Sequence, residues 1–206
     1  MAKRKYSTRK RRSNKKNQDR FFKTAVLTLM LFIAVYSVFS IKGAKNQLAV
    51  YQESTTVQFV GKASHAAHQI AQQNQLYTSI MLAQAILEST NGQSKLSQEP
   101  YFNFFGIKGS YNGKSVVLQT TEDDGNGNLY KIDAKFRAYG TMKNGFSDYA
   151  NVLSDPLYKD VHKYQSRTYE EATSVLTGRY ATDTTYDSKL NQLIASYHLY
   201  YFDYPF

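Results

Sequence analysis

Among its 206 residues the chain has no cysteine, no tryptophan and only three prolines. Without cysteine there is no disulfide, no thiolate zinc site and no cysteine nucleophile. Few prolines and only 11 glycines exclude collagen-like and broadly low-complexity chains. An excess of charge is also missing from most of the length. The formal charge is +10, but residues 1–23 hold 11 Lys/Arg against the single Asp19, and the rest balances 15 Lys/Arg against 15 Asp/Glu. A neutral body offers no basic groove, which argues against nucleic acid as a partner. No internal repeat is present. Long apolar runs are absent too, with one exception.

That exception is TAVLTLMLFIAVYSVFSI at 24–41, 18 residues without a charge. At ~1.5 Å per residue it spans about 27 Å, close to the apolar thickness of a bilayer. The basic tail precedes it, and only Lys42 and Lys45 follow closely. The positive-inside rule then predicts a single-pass anchor in the cell membrane with a cytoplasmic N-terminus and an extracytoplasmic C-terminal part. The alternative, a cleaved signal peptide, has a shorter apolar core and a small-x-small exit, which Phe39-Ser40-Ile41 does not supply. The expected organisation is a basic cytoplasmic tail at 1–23, a transmembrane anchor at 24–41, a stalk at 42–58 and a folded domain at 59–206.

Within that domain, helical spacing predicts helices over 59–73, 77–89 (Thr78 as N-cap), 146–153, 168–176 and 186–197. Ser115–Thr121 is rich in β-branched residues, and Leu129–Ala138 alternates loosely beyond the turn Asp123-Asp124-Gly125-Asn126-Gly127-Asn128. This predicts one β-hairpin in a mainly α (α+β) domain. About 145 residues suffice for a sizeable core without disulfides.

The predicted helix over 77–89 has almost no polar face, yet Glu88 stands in its last turn. Burial and the negative end of the helix dipole both disfavour the charged carboxylate there. A carboxyl group with a raised pKa is what a general acid near neutral pH requires. A lone Glu at a helix end more often points to water, so its neighbours decide.

Residues 82–94 read LAQAILESTNGQS, 101–109 read YFNFFGIKG, and Tyr180-Ala181-Thr182-Asp183 is followed by Tyr186 and Lys189-Leu190. These three ordered motifs resemble those of the glycoside hydrolase family 73 glucosaminidases, bacterial cell-wall hydrolases, over about residues 61–200. Ala83, Gln84, Ala85, Glu88, Ser89, Gly92 and Ser94 match the first motif. Asn103, Phe105, Gly106, Ile107 and Lys108 match the second. Two positions depart: the family's Trp in the first motif is replaced, and Thr184 stands where the third has Pro.

The resemblance implies a lysozyme-like helical domain with a small β-hairpin lobe that cleaves the β-1,4 bond after N-acetylglucosamine in peptidoglycan glycan strands. It implies Glu88 as general acid and Tyr180 as the active-site tyrosine. Glu122 is the best positional match for the second carboxylate, with Asp123 and Asp124 as rivals. Gln84, Ser89, Tyr101, Asn103, Phe105, Asp183 and Tyr186 are expected to bind substrate, and Phe102, Tyr111 and Tyr139 are further candidate stacking platforms. Water activated by the second carboxylate would invert the anomeric centre; attack by the substrate's own N-acetyl oxygen would retain it. Neither route needs a metal or another cofactor. His65 and His68 lack a third ligand, and the acidic turn has Leu129 and Lys135 where a calcium loop needs Gly and Glu. Expected partners are glycan strands, the membrane through the N-terminal helix, and division or wall-synthesis proteins. Two other readings stand beside this one: a muramidase or lytic transglycosylase of lysozyme-like fold, and a non-catalytic glycan-binding module.

Overall fold

The computed structural model describes residues 54–123 and 129–204, with the backbone alone at 121–123 and 129, plus Ser37 and Ser40 as isolated positions. The chain divides after Gln52, and everything below concerns the unit Glu53–Phe206. The expected tail at 1–23 and anchor at 24–41, the two serines apart, lie outside the described residues. Among the described residues no helix is long and apolar enough to cross a membrane.

Helix α1 runs Thr55–Gln73. It begins four residues before the expected start, so 55–58, assigned to the stalk from sequence, belong to the folded domain. The reason is local. Ser54 caps the helix by accepting from the Val57 N–H, and the first inward residue is the polar Thr56, which hides the apolar period. Thr56 donates to Oδ1 of Asn91 at 2.7 Å.

Helix α2, Thr78–Ser89, is the central element, with every residue from Thr78 to Ile86 buried. Thr78 is its first helical residue and not its cap. Capping comes from 124 residues away, where the Asp203 carboxylate accepts from the Ser79 N–H at 2.8 Å and the Ser79 hydroxyl at 2.7 Å. At the other end Thr90, Asn91 and Gly92 all have positive φ. A Cβ on Gly92 would lie 2.6 Å from the Phe59 ring, so glycine suits both conformation and space.

Strands β1, Ser115–Asp123, and β2, Leu129–Arg137, form the expected antiparallel hairpin, in register from Ser115↔Arg137 to Asp123↔Leu129. Helices α3 (Met142–Leu153), α4 (Tyr169–Leu176) and α5 (Tyr186–Ser196) follow, with 3-10 turns at Lys95–Ser97, Pro156–Val161 and Leu199–Asp203. The last turn packs against α2, which accounts for the aromatic C-terminal run: Leu199 is buried, and the Phe202 carbonyl accepts from Nδ1 of His68 at 2.9 Å.

The core is aromatic where the loop at 101–109 meets α3. Phe105 stacks on Tyr149 with ring centroids 4.0 Å apart and meets Phe146 edge-on at 5.3 Å. Helix α3 approaches so closely at Gly145 that a Cβ there would stand 2.4 Å from the Phe102 carbonyl oxygen.

Candidate active site

Three segments converge near the C-terminal end of α2. Glu88 is exposed, as is Leu87 before it, where the buried stretch Thr78–Ile86 gives way to solvent. Its Oε1 accepts from the Tyr186 hydroxyl of α5 at 2.8 Å. Burial by the surrounding wall raises the Glu88 pKa, and this hydrogen bond from Tyr186 works against it by stabilising the anion. The Tyr149, Tyr180 and Tyr186 phenols all feel the Glu88 charge, which together with burial pushes them well above their ordinary range. They are neutral donors and acceptors at any working pH.

Behind this pair stands Gln84, fully buried one turn earlier on α2. Its Nε2 donates to the Tyr186 hydroxyl at 2.9 Å, and its Oε1 accepts from the Tyr149 hydroxyl. The Tyr180 ring stacks near Tyr186 at 6.0 Å, and its hydroxyl donates to the Phe105 carbonyl at 3.1 Å. The third motif is thereby tied to the second.

Several residues expected to touch substrate are instead parts of the wall. Gln84, Ser89, Asn103 and Phe105 are buried, none more than 3 % exposed. Ser89 closes α2: its hydroxyl donates to the Ala85 carbonyl and accepts from the Gly92 N–H. Asn103 is a clamp. Its amide donates to the carbonyls of Ile107 (2.9 Å) and Arg137 (3.0 Å), while Oδ1 accepts from the Ile107 N–H. It therefore holds the 103–107 loop and the end of β2 together. Phe105 belongs to the aromatic core. All four sit where their side chains hold neighbouring groups of the fold, and a motif match does not separate a residue facing the ligand from one that holds its neighbour.

Of the remaining candidates, Tyr186 is buried but reaches Glu88 through its hydroxyl, and Tyr101 is half-buried. Asp183 turns back on its own loop, accepting from Thr185 and from Lys189 at 2.5 Å, which lowers its pKa to about 2. Glu122 pairs through its backbone register with Tyr130 on β2; its side chain and the turn 124–128 lie outside the described residues. Tyr139 is buried and donates to Asp148 at 2.6 Å beside the Arg137–Asp148 ion pair (2.7 Å), so it anchors the hairpin to α3 and offers no stacking face. Tyr149 lies in the helix expected over 146–153 and is not singled out by the sequence analysis. Its signal was a hydroxyl on an otherwise apolar face.

No cluster of three or more metal-ligating side chains occurs among the described residues. A cavity of about 340 Å³, lined by Phe59, Asn91, Gly92, Phe102, Phe104 and Met142, lies where the first two motifs meet, and another of about 550 Å³ lies by Tyr77 at the far end of α2. Glu88 lines neither.

A helical domain with a hairpin lobe, and a carboxyl group presented at the end of its central helix, defines the class: a lysozyme-like α domain. Residues 64–199 match the glucosaminidase family, described as mannosyl-glycoprotein endo-beta-N-acetylglucosaminidase, and the chain belongs to it. It is 42% identical over 172 residues to a probable N-acetylmuramidase of Lactococcus lactis subsp. cremoris, a match covering 77% of this chain and 39% of that protein. Exo-glucosaminidase LytG of Bacillus subtilis is 34% identical over 150 residues, covering 70% of this chain and 52% of LytG. The chain thus spans about two-fifths to one half of the length of these relatives. The solved catalytic domain of the autolysin Auto from Listeria monocytogenes is 40% identical with a TM-score of 0.69, covering 78% of this chain and 97% of that domain.

Proposed function

We propose that the protein is a peptidoglycan hydrolase, a glycosidase cleaving the β-1,4 bond after N-acetylglucosamine. The observation that carries this is Glu88: a carboxyl group with a raised pKa, held on one oxygen by Tyr186 and exposed at the end of a buried helix. In its protonated form, which the raised pKa favours, Glu88 gives its proton to the glycosidic oxygen as the bond breaks. Glu122 is the candidate for the second carboxylate, which activates water if the reaction inverts. If the substrate's acetamide is the nucleophile, Tyr180 is the candidate to contact it. The Tyr180 proton is spent on the Phe105 carbonyl, so its oxygen is left to accept from an acetamide N–H or a water.

The relatives' names give a specific reason to keep a second reading, since one is a probable N-acetylmuramidase and another an exo-glucosaminidase. Mass spectrometry of digested, reduced muropeptides separates them through the sugar at the reducing end. Reduced N-acetylglucosamine supports the proposal; reduced N-acetylmuramic acid overturns it in favour of a muramidase, and an anhydro sugar in favour of a transglycosylase. Glu88→Gln is expected to lower turnover ~10²–10⁴-fold while the fold is kept. Glu122→Gln is expected to be nearly as damaging if water is the nucleophile. A mild Glu122→Gln defect with a retained anomer, read by NMR directly after cleavage, would remove Glu122 from the role of base.

The charge split around residues 24–41 further supports a single-pass cell-membrane anchor that holds the domain outside the cytoplasm, within reach of the wall. Proteins of division or wall synthesis are the partners such a location brings close.

A further inference from the structure

The hydrogen bonds behind Glu88 have a direction, set by the chemistry of their members. Gln84 is fully buried and carries a carbonyl that only accepts and an amide that only donates. The Tyr149 hydroxyl lies against its carbonyl, so the Tyr149 proton is spent there. The amide faces the Tyr186 oxygen, which therefore accepts. A phenol has one proton, and that of Tyr186 is left for Oε1 of Glu88. With the amide turned over, Tyr149 would have to accept, and its own proton would be stranded. The Tyr149 side chain is fully buried, and Gln84 is its one hydrogen-bond partner among the described residues.

We propose that Tyr149, Gln84 and Tyr186 form a one-way relay that commits the phenolic proton of Tyr186 to Oε1 of Glu88, so that Oε2 is the one oxygen left to carry the proton delivered to the leaving group. The proposal rests on the reading of Glu88 as general acid. The three are positioning residues: they choose which oxygen of Glu88 is the acid and aim it away from the core. Proton transfer from Oε2 to the glycosidic oxygen leaves the carboxylate anionic, and the Tyr186 hydrogen bond stabilises that anion. The titratable groups that face Glu88 are the phenols of Tyr186 on α5, Tyr180 in the loop before it and Tyr149 on α3, all neutral in the working range.

Because the relay favours the charged form, its loss raises the pH at which Glu88 ionises. In Tyr186→Phe the donor is gone. In Tyr149→Phe both partners of the Glu88–Tyr186 hydrogen bond remain, but the Gln84 amide is free to turn its carbonyl toward Tyr186 and draw that proton away.

The test follows the Glu88 side-chain carboxyl carbon by ¹³C NMR against pH in the full chain in detergent, with Glu88→Gln identifying the resonance. The titration midpoint is expected to rise by about one to two pH units in Tyr186→Phe and by less, in the same direction, in Tyr149→Phe. The alkaline limb of kcat/KM on peptidoglycan moves with it, while KM changes little. Midpoints unchanged in both variants, with wild-type circular dichroism and melting, overturn the proposal. A shift in Tyr186→Phe alone also overturns it, leaving a local hydrogen bond without a relay. Should Tyr149→Phe not fold, Gln84→Met takes its place: a Tyr186 hydroxyl that no longer accepts from the amide donates more weakly to Glu88, so a small rise is expected and an unchanged midpoint overturns the proposal. Shifted midpoints in the variants, with no turnover by the wild-type chain, leave the relay standing and remove the glycosidase reading. Turnover with unmoved midpoints does the reverse.

Discussion

Glu88 is held at a cost, and the sign of that cost can be measured. Its pKa is raised in the folded chain, so the fold prefers the protonated form. The stability contributed by Glu88 is therefore full below its ordinary unfolded pKa and is lost as pH rises through the raised folded value. Gln at this position stays neutral and keeps an acceptor for Tyr186. Glu88→Gln is accordingly expected to melt at a higher temperature than wild type at neutral pH and at the same temperature in acid. Equal melting at both pH values would contradict the raised pKa. The opposite end of α2 depends on another carboxylate. Asp203→Ala removes the acceptor for both donors of Ser79, and urea denaturation is expected to show a loss of about 1–2 kcal/mol.

At the scale of elements, the helices and the hairpin follow from patterning, because apolar residues recur with the period of the structure they form. The exception at 55–58 is instructive. The inward residue of the first turn is Thr56, whose partner Asn91 lies 35 positions away, so no local period marks it. Packing between elements is tightest at the α3 crossing. Gly145→Ala puts a methyl group against the Phe102 backbone, and α3 must retreat or the loop must yield. The expected cost is about 1–3 kcal/mol. Because α3 carries Tyr149, Gly145→Ala is also expected to reduce turnover, which a dye-release assay on labelled cell walls would register.

For the whole molecule, the charge asymmetry makes a topological prediction. Protease added to intact protoplasts is expected to remove the chain beyond residue 42 and to spare the basic tail. A shortened protein released into the medium as the main form would speak for a cleaved signal instead. Since the folded unit begins at Glu53, partial proteolysis should leave a cooperative fragment from about there onward.

Sequence alone determined the mainly helical class with its one hairpin and the central buried helix, and it singled out Glu88 as the candidate acid. These rest on composition, on periodicity and on three motifs whose order along the chain is itself information. It could not separate residues that face a ligand from those that hold the fold, because Gln84, Ser89, Asn103 and Phe105 are buried through contacts up to 102 positions apart in the chain. Tertiary structure alone decided that Asp203 caps α2, that Asn103 ties the hairpin to the domain, and that Tyr186 and not Tyr180 is hydrogen-bonded to Glu88. The physical reason is the same in each case. A hydrogen bond depends on distance and direction in space, and a sequence states neither for residues far apart along the chain.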